Sequence, residues 1–453
     1  MLDLTREYID NLQELIQHGK DEAIRESLID IHPADIADIF DELKSEETVY
    51  LYKVLDKEIA ADVLVALEED VREKLMASFT SREIAEEVLD RIDSDDAADM
   101  MSELSDEKIE EIIAYIEDQE QANDLIDLLN YDEGTAGALM AKELIKVNQN
   151  WTVAHCIREM RRQAEDLENV YTIYVVDDMQ HLLGRLSLKT LLFSATTTRT
   201  LIKDIYDATK IMTVLPEEEA EVVARMMEKY DLVALPVVND AGHLLGRITI
   251  DDVVDVIKEE AEKDYQMASG ISEDVESDDS VWTLTRARIP WLLIGMAGGI
   301  LAAYVIGVFD ITENPEMALF IPLIAAMGGN VGVQSAAIVV QGLANNSTKM
   351  DRIFTRLTKE LGVGLVNGTI CSLILLLAST ILNFPLGLSI TVSLALLSVI
   401  TFAALFGTFV PLVLNKYNID PALATGPFVT TANDIVGLVI YFSLGQILLG
   451  HFA

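Results

Sequence analysis

The chemistry of this sequence is clearest at Asp434, the one ionisable side chain well inside any of its long apolar segments. It sits about nine residues, or roughly 14 Å of helix, from one end of the segment Thr425 to Gly450. A carboxylate at such depth in hydrocarbon costs about 2.5–3.5 kcal/mol on insertion scales, so it must face water or a cation. Thr430, Thr431 and Asn433 add hydroxyl and amide oxygens, and Gly426-Pro427 is able to break the helix and free backbone carbonyls. An all-oxygen set suits a hard cation. One carboxylate per chain, with several waters, fits Mg²⁺ better than Ca²⁺, which seeks more direct ligands. The same residues also allow a plainer reading, with Asp434 merely hydrogen-bonded to Thr or Asn inside a bundle. A second polar stretch, Met327-Gly-Gly-Asn-Val-Gly-Val-Gln334, places Asn330 and Gln334 one helical turn apart, with Gly328, Gly329 and Gly332 permitting close backbone approach or simple helix packing.

These residues need a membrane-spanning scaffold to position them. Five apolar segments, about Ile289 to Phe309, Ala318 to Leu343, Leu361 to Asn383, Leu388 to Leu414 and Thr425 to Gly450, each approach the roughly 20 residues that cross a hydrocarbon core. Arg286 and Arg288 precede the first, Lys349, Arg352, Arg356 and Lys359 fill the second connection, and Lys416 lies in the fourth. The positive-inside rule then puts the N-terminus in the cytosol and the C-terminus outside a plasma membrane, as an odd number of spans requires. Gly295 and Gly299 form a small-residue pair for close helix contact within or between subunits.

From Arg286 to the C-terminus, seven basic and seven acidic residues cancel, so the whole net charge of −43 lies ahead of it. Such a surface repels nucleic acid and anionic headgroups and attracts cations. Cys156 and Cys371, one in each half, build neither a disulfide framework nor a thiolate metal site. Met1 to Lys20 is charged and helix-like, unlike a signal peptide, so the acidic part is expected to stay cytosolic.

Residues 1–133 read as short amphipathic helices of a superhelical solenoid, in which Ile36-Ala-Asp-Ile39, Ala60-Ala-Asp-Val63, Ala85-Glu-Glu-Val88 and Ala97-Ala-Asp-Met100 recur at about 24 residues or half that. The plain reading has the small and apolar residues packing while the acid faces water. Next come two apolar strand-like runs, Thr172 to Val176 and Ala234 to Val238, each followed by a turn and the same five residues, His-Leu-Leu-Gly-Arg, at His181 to Arg185 and His243 to Arg247. This duplicated α/β unit resembles a tandem pair of CBS domains, 134–200 and 201–257. The two histidines lack a second His or Cys at ligand spacing and read as surface turn residues. A very acidic stretch, 258–283, then leads to a five-helix all-α transmembrane domain at 284–453.

Over essentially its whole length the chain resembles the MgtE family of magnesium channels and transporters, most specifically at Pro322 to Gln334 and Gly426 to Gly437 and in its domain order. The resemblance implies a homodimer in the lipid membrane that jointly forms a Mg²⁺ pore at Asp434. It also implies a gate closed by cytosolic Mg²⁺ bound among the N domain, the CBS pair and a connecting (plug) helix, and in some members ATP at the CBS pair. The positions matching its regulatory acids are Asp95 and Asp99; Glu221, Asp231, Asp252 and Asp255; Glu260 and Asp264; and Asp420. Lys258 and Lys263 interrupt the otherwise acidic connecting helix.

Residue chemistry alone leaves two other classes open. A membrane-anchored nucleotide sensor would need neither Asp434 nor the Gly-Asn-Gln stretch. An enzyme would need a nucleophile with its base, a phosphate-cradling loop or a His/Cys metal set, which this sequence does not offer. Within transport, Mn²⁺, Co²⁺ and Ni²⁺ stay open beside Mg²⁺, because oxygen ligands separate them only by geometry and hydration.

Overall fold

The computed structural model describes residues 5–452 except 165, 166, 168, 195, 196, 210, 274, 276–278, 310–314, 345–352, 418 and 425. The chain forms two compact units, Met1–Lys258 and Glu259–Ala453.

The first unit opens with helices of eight to twelve residues, among them Arg6–Gln17, Asp21–Leu28, Pro33–Asp41, Lys57–Ala66, Ser94–Ser102 and Gln119–Leu128. Helices this short are marginal alone and depend on packing. Their apolar faces meet in one core through Ile24, Ile36, Leu51, Leu64, Val88 and Met101. In each recurring phrase the apolar and small residues are buried and the acid is exposed, at Asp38, Asp62, Glu86, Glu87 and Asp99. The plain reading of those acids therefore holds. The helix carrying Asp95 and Asp96 starts at Ser94 with Asp93 in the N-cap position, so both acids lie in its first turn.

The α/β part holds a three-stranded sheet, Ile145–Asn148 parallel to Ile173–Val176 and the latter antiparallel to Leu182–Leu186, and a two-stranded one, Ala234–Val238 antiparallel to Leu244–Thr249. The Leu-Leu-Gly-Arg of each repeat thus belongs to the second strand itself, and the turns fall just before it at Gln180 (φ 68°) and Gly242 (φ 83°). Both copies use this strand alike: Arg185 exchanges backbone hydrogen bonds with Asp207 (3.1 and 2.9 Å), and Arg247 with Ala141 (2.9 and 2.8 Å). Helix Ile250–Ala268 follows the second sheet, and at its start Asp252 accepts from the backbone N–H and the hydroxyl of Thr249 (3.0 and 2.9 Å).

Among the described residues of the second unit, five helices are long and apolar enough to cross a membrane: Val281–Val308, Pro315–Leu343, Ile353–Ile381, Leu386–Lys416 and Pro427–Leu449. We call them spans one to five. The first and third begin about two turns before the apolar runs seen in sequence, because helical hydrogen bonding continues past the hydrocarbon region. Ser280 starts the first, accepting from the Thr283 N–H. Span four is the central post: Val392, Ala395, Val399, Ile400 and Ala403 are buried, span three packs on it, and spans two and five pack on it and on each other, while span one packs on span five. Spans one and three leave apolar side chains such as Leu292, Ile300, Ile374 and Leu377 exposed, the surface that hydrocarbon would meet. The expected loop charges Lys349 and Arg352 lie outside the described residues.

Candidate ion pathway and acidic clusters

Span five carries Thr430, Thr431, Asn433 and Asp434, and glycines on spans one and two let it approach them closely. A methyl group added to Gly329 of span two would stand 3.6 Å from the Asp434 Oδ1 and 3.0 Å from the Thr430 Cγ2. One added to Gly332 would overlap the Asn433 amide, and one added to Gly298 of span one would overlap the Thr431 methyl. Gly407 of span four faces the Gly332 carbonyl oxygen so closely that no side chain fits between them. The glycines of the Gly-Gly-Asn-Val-Gly stretch are therefore contact surfaces for Asp434 and its neighbours. The expected pair Gly295 and Gly299 has no neighbour at this range, and Gly298 makes the close contact instead.

The polar residues divide into two groups. Asp434, Thr430 and Thr431 are half-buried, and Asn330 and Gln334 are exposed one turn apart on span two, so these five are open to an aqueous path or to a further subunit. Asn433 is 1% exposed, and neither its Nδ2 nor its Oδ1 has a hydrogen-bond partner among the described residues. The Thr430 hydroxyl donates to the Gly426 carbonyl at 2.9 Å, beside the Thr430 backbone N–H that donates to the same oxygen at 3.1 Å. Sequence reasoning missed Glu360, which falls one residue ahead of the third apolar segment as read from hydropathy, Leu361 to Asn383. It lies on span three and accepts a 2.7 Å hydrogen bond from the buried Ser335 of span two. The helical pattern of Ile353 to Glu360, read without regard to hydropathy, would have found it.

The connecting helix ends against span five. Gly426 (φ 58°) takes a backbone conformation that favours glycine, and a methyl there would overlap the Ala268 carbonyl. Gly270 (φ 82°) abuts Pro427, where a methyl would stand 2.7 Å from the ring. Upstream, Lys263 ion-pairs with Glu260 at 3.3 Å, and Glu260, Asp420 and Asp264 raise its ammonium above the usual range. The lysine that breaks the acidic pattern is thus a built-in counter-cation. Asp420 also accepts from the Ala422 N–H at 2.8 Å.

In the first unit the acids concentrate where the helix at Ser94 meets the start of helix Ile250–Ala268. Burial, then Asp252, Asp96 and Asp93, hold the Asp95 carboxyl well above its ordinary range. Burial, then Asp252, Asp93 and Asp99, push Asp96 up to about 7. Asp252 and Asp255 are raised too, chiefly by burial and with Asp251 adding to both. Three further acids have local roles. Asp99 pairs with Arg72 at 3.4 Å and Glu221 with Arg225 at 2.9 Å, while Asp231 closes helix Ala220–Tyr230 in the left-handed region. Among the described residues no three His, Cys, Asp or Glu side chains converge to hold an ion directly. The cluster is a repulsive field rather than a closed chelate.

The sign of that repulsion sets a pH dependence. The folded-state pKa of Asp96 is raised, so its share of stability is full below about pH 4, the unfolded carboxylate range, and is lost as pH rises through about 7. In Mg²⁺-free buffer, Asp96→Asn is expected to raise the melting temperature by a few degrees at pH 8 and to leave it nearly unchanged at pH 4.5, compared by calorimetry on the full chain. Equal shifts at both pH values would show that Asp96 is not under strain.

Comparison with known proteins agrees with this architecture. The family profile described as MgtE, divalent cation transporter, matches residues 321–444, the MgtE intracellular N domain matches 31–134, and CBS domains match 136–195 and 202–259. A magnesium transporter MgtE of Thermus thermophilus is 33% identical over 444 residues, covering 97% of this chain and 98% of its own length. One from Enterococcus faecalis is 34% identical over 328 residues, 72% of each chain. Two solved structures align at TM-score 0.50. One is the soluble part of a magnesium transporter (30% identity, 56% of this chain and 98% of that one). The other is the cytosolic domain of the Mg²⁺ channel MgtE in complex with ATP (35% identity, 55% and 99%). With the matched domains in this order and two thirds or more of such relatives covered, the chain belongs to the MgtE family of divalent cation transporters.

Proposed function

We propose that this chain is a multi-pass Mg²⁺ channel or transporter of the cell membrane, working as a homodimer and closed by cytosolic Mg²⁺. The observation that carries the reading is Asp434, a half-buried intramembrane carboxylate set against Gly329 of span two, with Thr430 and Thr431 beside it on span five. Asp434, Thr430 and Thr431 would meet the hydrated ion, with Asn330 and Gln334 lining its path. The exposed face at Gly295 and Gly299 is suited to lipid or a second copy. The N-terminus is placed in the cytosol and the C-terminus outside, on the strength of Arg286, Arg288, Arg356, Lys359 and Lys416. Relatives are named magnesium transporters, and the cytosolic domain of one such channel is described in complex with ATP, which supports the reading that ATP binds this chain at the CBS pair.

Regulation rests on electrostatics. Two carboxylates about 6 Å apart repel by roughly 1–3 kcal/mol at effective dielectrics between water and a protein surface. Moving a gate from 1:99 to 99:1 takes about 5.5 kcal/mol, so Mg²⁺ at two or three acidic junctions is enough. Asp95, Asp252 and Asp255, and besides them Asp99, Glu221 and Asp231, would hold such ions through water, as Mg²⁺ prefers. Glu260, Asp264 and Asp420 would do so near the spans. Reconstituted protein is expected to pass Mg²⁺ in liposomes and to be inhibited by Mg²⁺ on the face of the acidic domains, and removal of residues 1–130 is expected to weaken that inhibition. No flux of any divalent ion under any gradient would replace transport with an anchored sensor. Unchanged inhibition after truncation would move the sensor elsewhere.

A further inference from the structure

We propose that His181 and His243 together form a site for a transition-metal dication of the Zn²⁺, Ni²⁺ or Co²⁺ class, separate from the oxygen sites for Mg²⁺. Each histidine is unremarkable in sequence, standing in a turn without a ligand partner nearby. The duplicated repeats supply the missing partner across 62 residues. His181 and His243 face each other in an antiparallel bridge. The Leu182 N–H donates to the Gly242 carbonyl (3.0 Å) and the Leu244 N–H to the Gln180 carbonyl (3.3 Å), on either side of the pair. The histidines therefore occupy a non-hydrogen-bonded cross-strand position, where facing side chains come closest. Their ring centroids are 4.5 Å apart, with the planes tilted by 35°.

The surroundings orient the rings as a ligand shell does. Asp177 Oδ2 lies 2.9 Å from the His181 Nδ1, and its other oxygen accepts from the backbone N–H groups of Met179 (2.8 Å) and His181 (3.0 Å). A carboxylate on Nδ1 fixes the tautomer that offers Nε2 as a lone-pair donor, the usual support of a metal-bound imidazole. Asn239 takes the same place in the second repeat: its Oδ1 accepts from the Ala241 and His243 N–H groups (3.1 and 3.0 Å), and its amide nitrogen touches the His243 Nδ1 at 3.4 Å. That longer contact leaves the His243 ring free to turn onto a metal.

The ligand class follows from the donors. Among the described residues no third His, Cys, Asp or Glu joins the pair, so a bound metal takes two imidazoles and completes its shell with water. Such a set suits Zn²⁺, Ni²⁺ or Co²⁺ and discriminates against Mg²⁺, which prefers oxygen. The metal would bridge the two α/β repeats and stabilise only their folded pairing. Stacking of two neutral imidazoles, with no metal affinity, is the alternative.

The test uses the full-length protein in detergent, stripped of metal and titrated with Zn²⁺ or Ni²⁺ by calorimetry, with its melting temperature followed in parallel. We expect one metal bound per chain with a rise in melting temperature. Binding should be lost in His181→Ala and in His243→Ala, weakened about 10–100-fold in Asp177→Asn, and kept in His18→Ala as a control. Millimolar Mg²⁺ should not displace the metal, and Mg²⁺ flux of the histidine variants in metal-free medium should match the parent. Titrations that coincide for the parent and the His181→Ala/His243→Ala double variant, or no binding to the parent, would overturn the site.

Discussion

Asp434→Ala is expected to lower Mg²⁺ flux in proteoliposomes by at least about twentyfold while leaving the fold intact. A carboxylate about 4.5 Å from a divalent ion is worth roughly 2–7 kcal/mol over effective dielectrics from water to a protein surface. Even the low end, set against about 1.4 kcal/mol per factor of ten, gives that loss. The fold should tolerate the change, because removing the charge also removes an insertion cost of about 2.5–3.5 kcal/mol. Asp434→Asn separates charge from hydrogen bonding: it keeps an oxygen at the same place and should transport as poorly as the alanine variant. Parental flux in Asp434→Ala would remove this residue from the pathway. Poor flux with a lowered melting temperature would instead make it a structural link between spans two and five.

Much of this arrangement was legible in the sequence because membrane and solvent impose simple patterns. The five spans follow from hydropathy, and the exposure of Asp38, Asp62 and Asp99 follows from the small and apolar residues beside them. What sequence obscured is what folding brings together over distance. Glu360 was hidden because hydropathy marks where hydrocarbon begins, not where a helix does. The field around Asp95 and Asp96 needs Asp252, more than 150 residues away, and no local pattern announces that meeting. His181 and His243 each looked solitary until the repeats paired. Asn433 was read with Asp434 as a pore ligand from adjacency alone; on a helix, adjacent residues point about 100° apart, and its amide turns into the bundle against Gly332.

The contact of Gly407 with Gly332 carries the other large effect. A methyl group at Gly407 would run into the carbonyl oxygen, the carbonyl carbon and the Cα of Gly332, which are backbone atoms that no rotamer change moves aside. Gly407→Ala must push spans two and four apart, at a cost of about 3 kcal/mol if the bundle behaves like other overpacked cores. Span two also presents Gly329 to Asp434 and the exposed pair Asn330 and Gln334, so a shift of even half an ångström alters the ion path together with the packing. Gly407→Ala is therefore expected to lose melting temperature and Mg²⁺ flux together, whereas Gly362→Ala on span three, with no neighbour within 4 Å of the added methyl, should change neither. Gly332→Ala is the informative intermediate. Its methyl meets the side-chain amide of Asn433, which is able to turn away, so adding Asn433→Ala should restore much of the stability that Gly332→Ala loses, a coupling readable in a double-mutant cycle. If Gly407→Ala kept both stability and flux, the close approach of spans two and four would not be what sets the distance between the glycine face and Asp434.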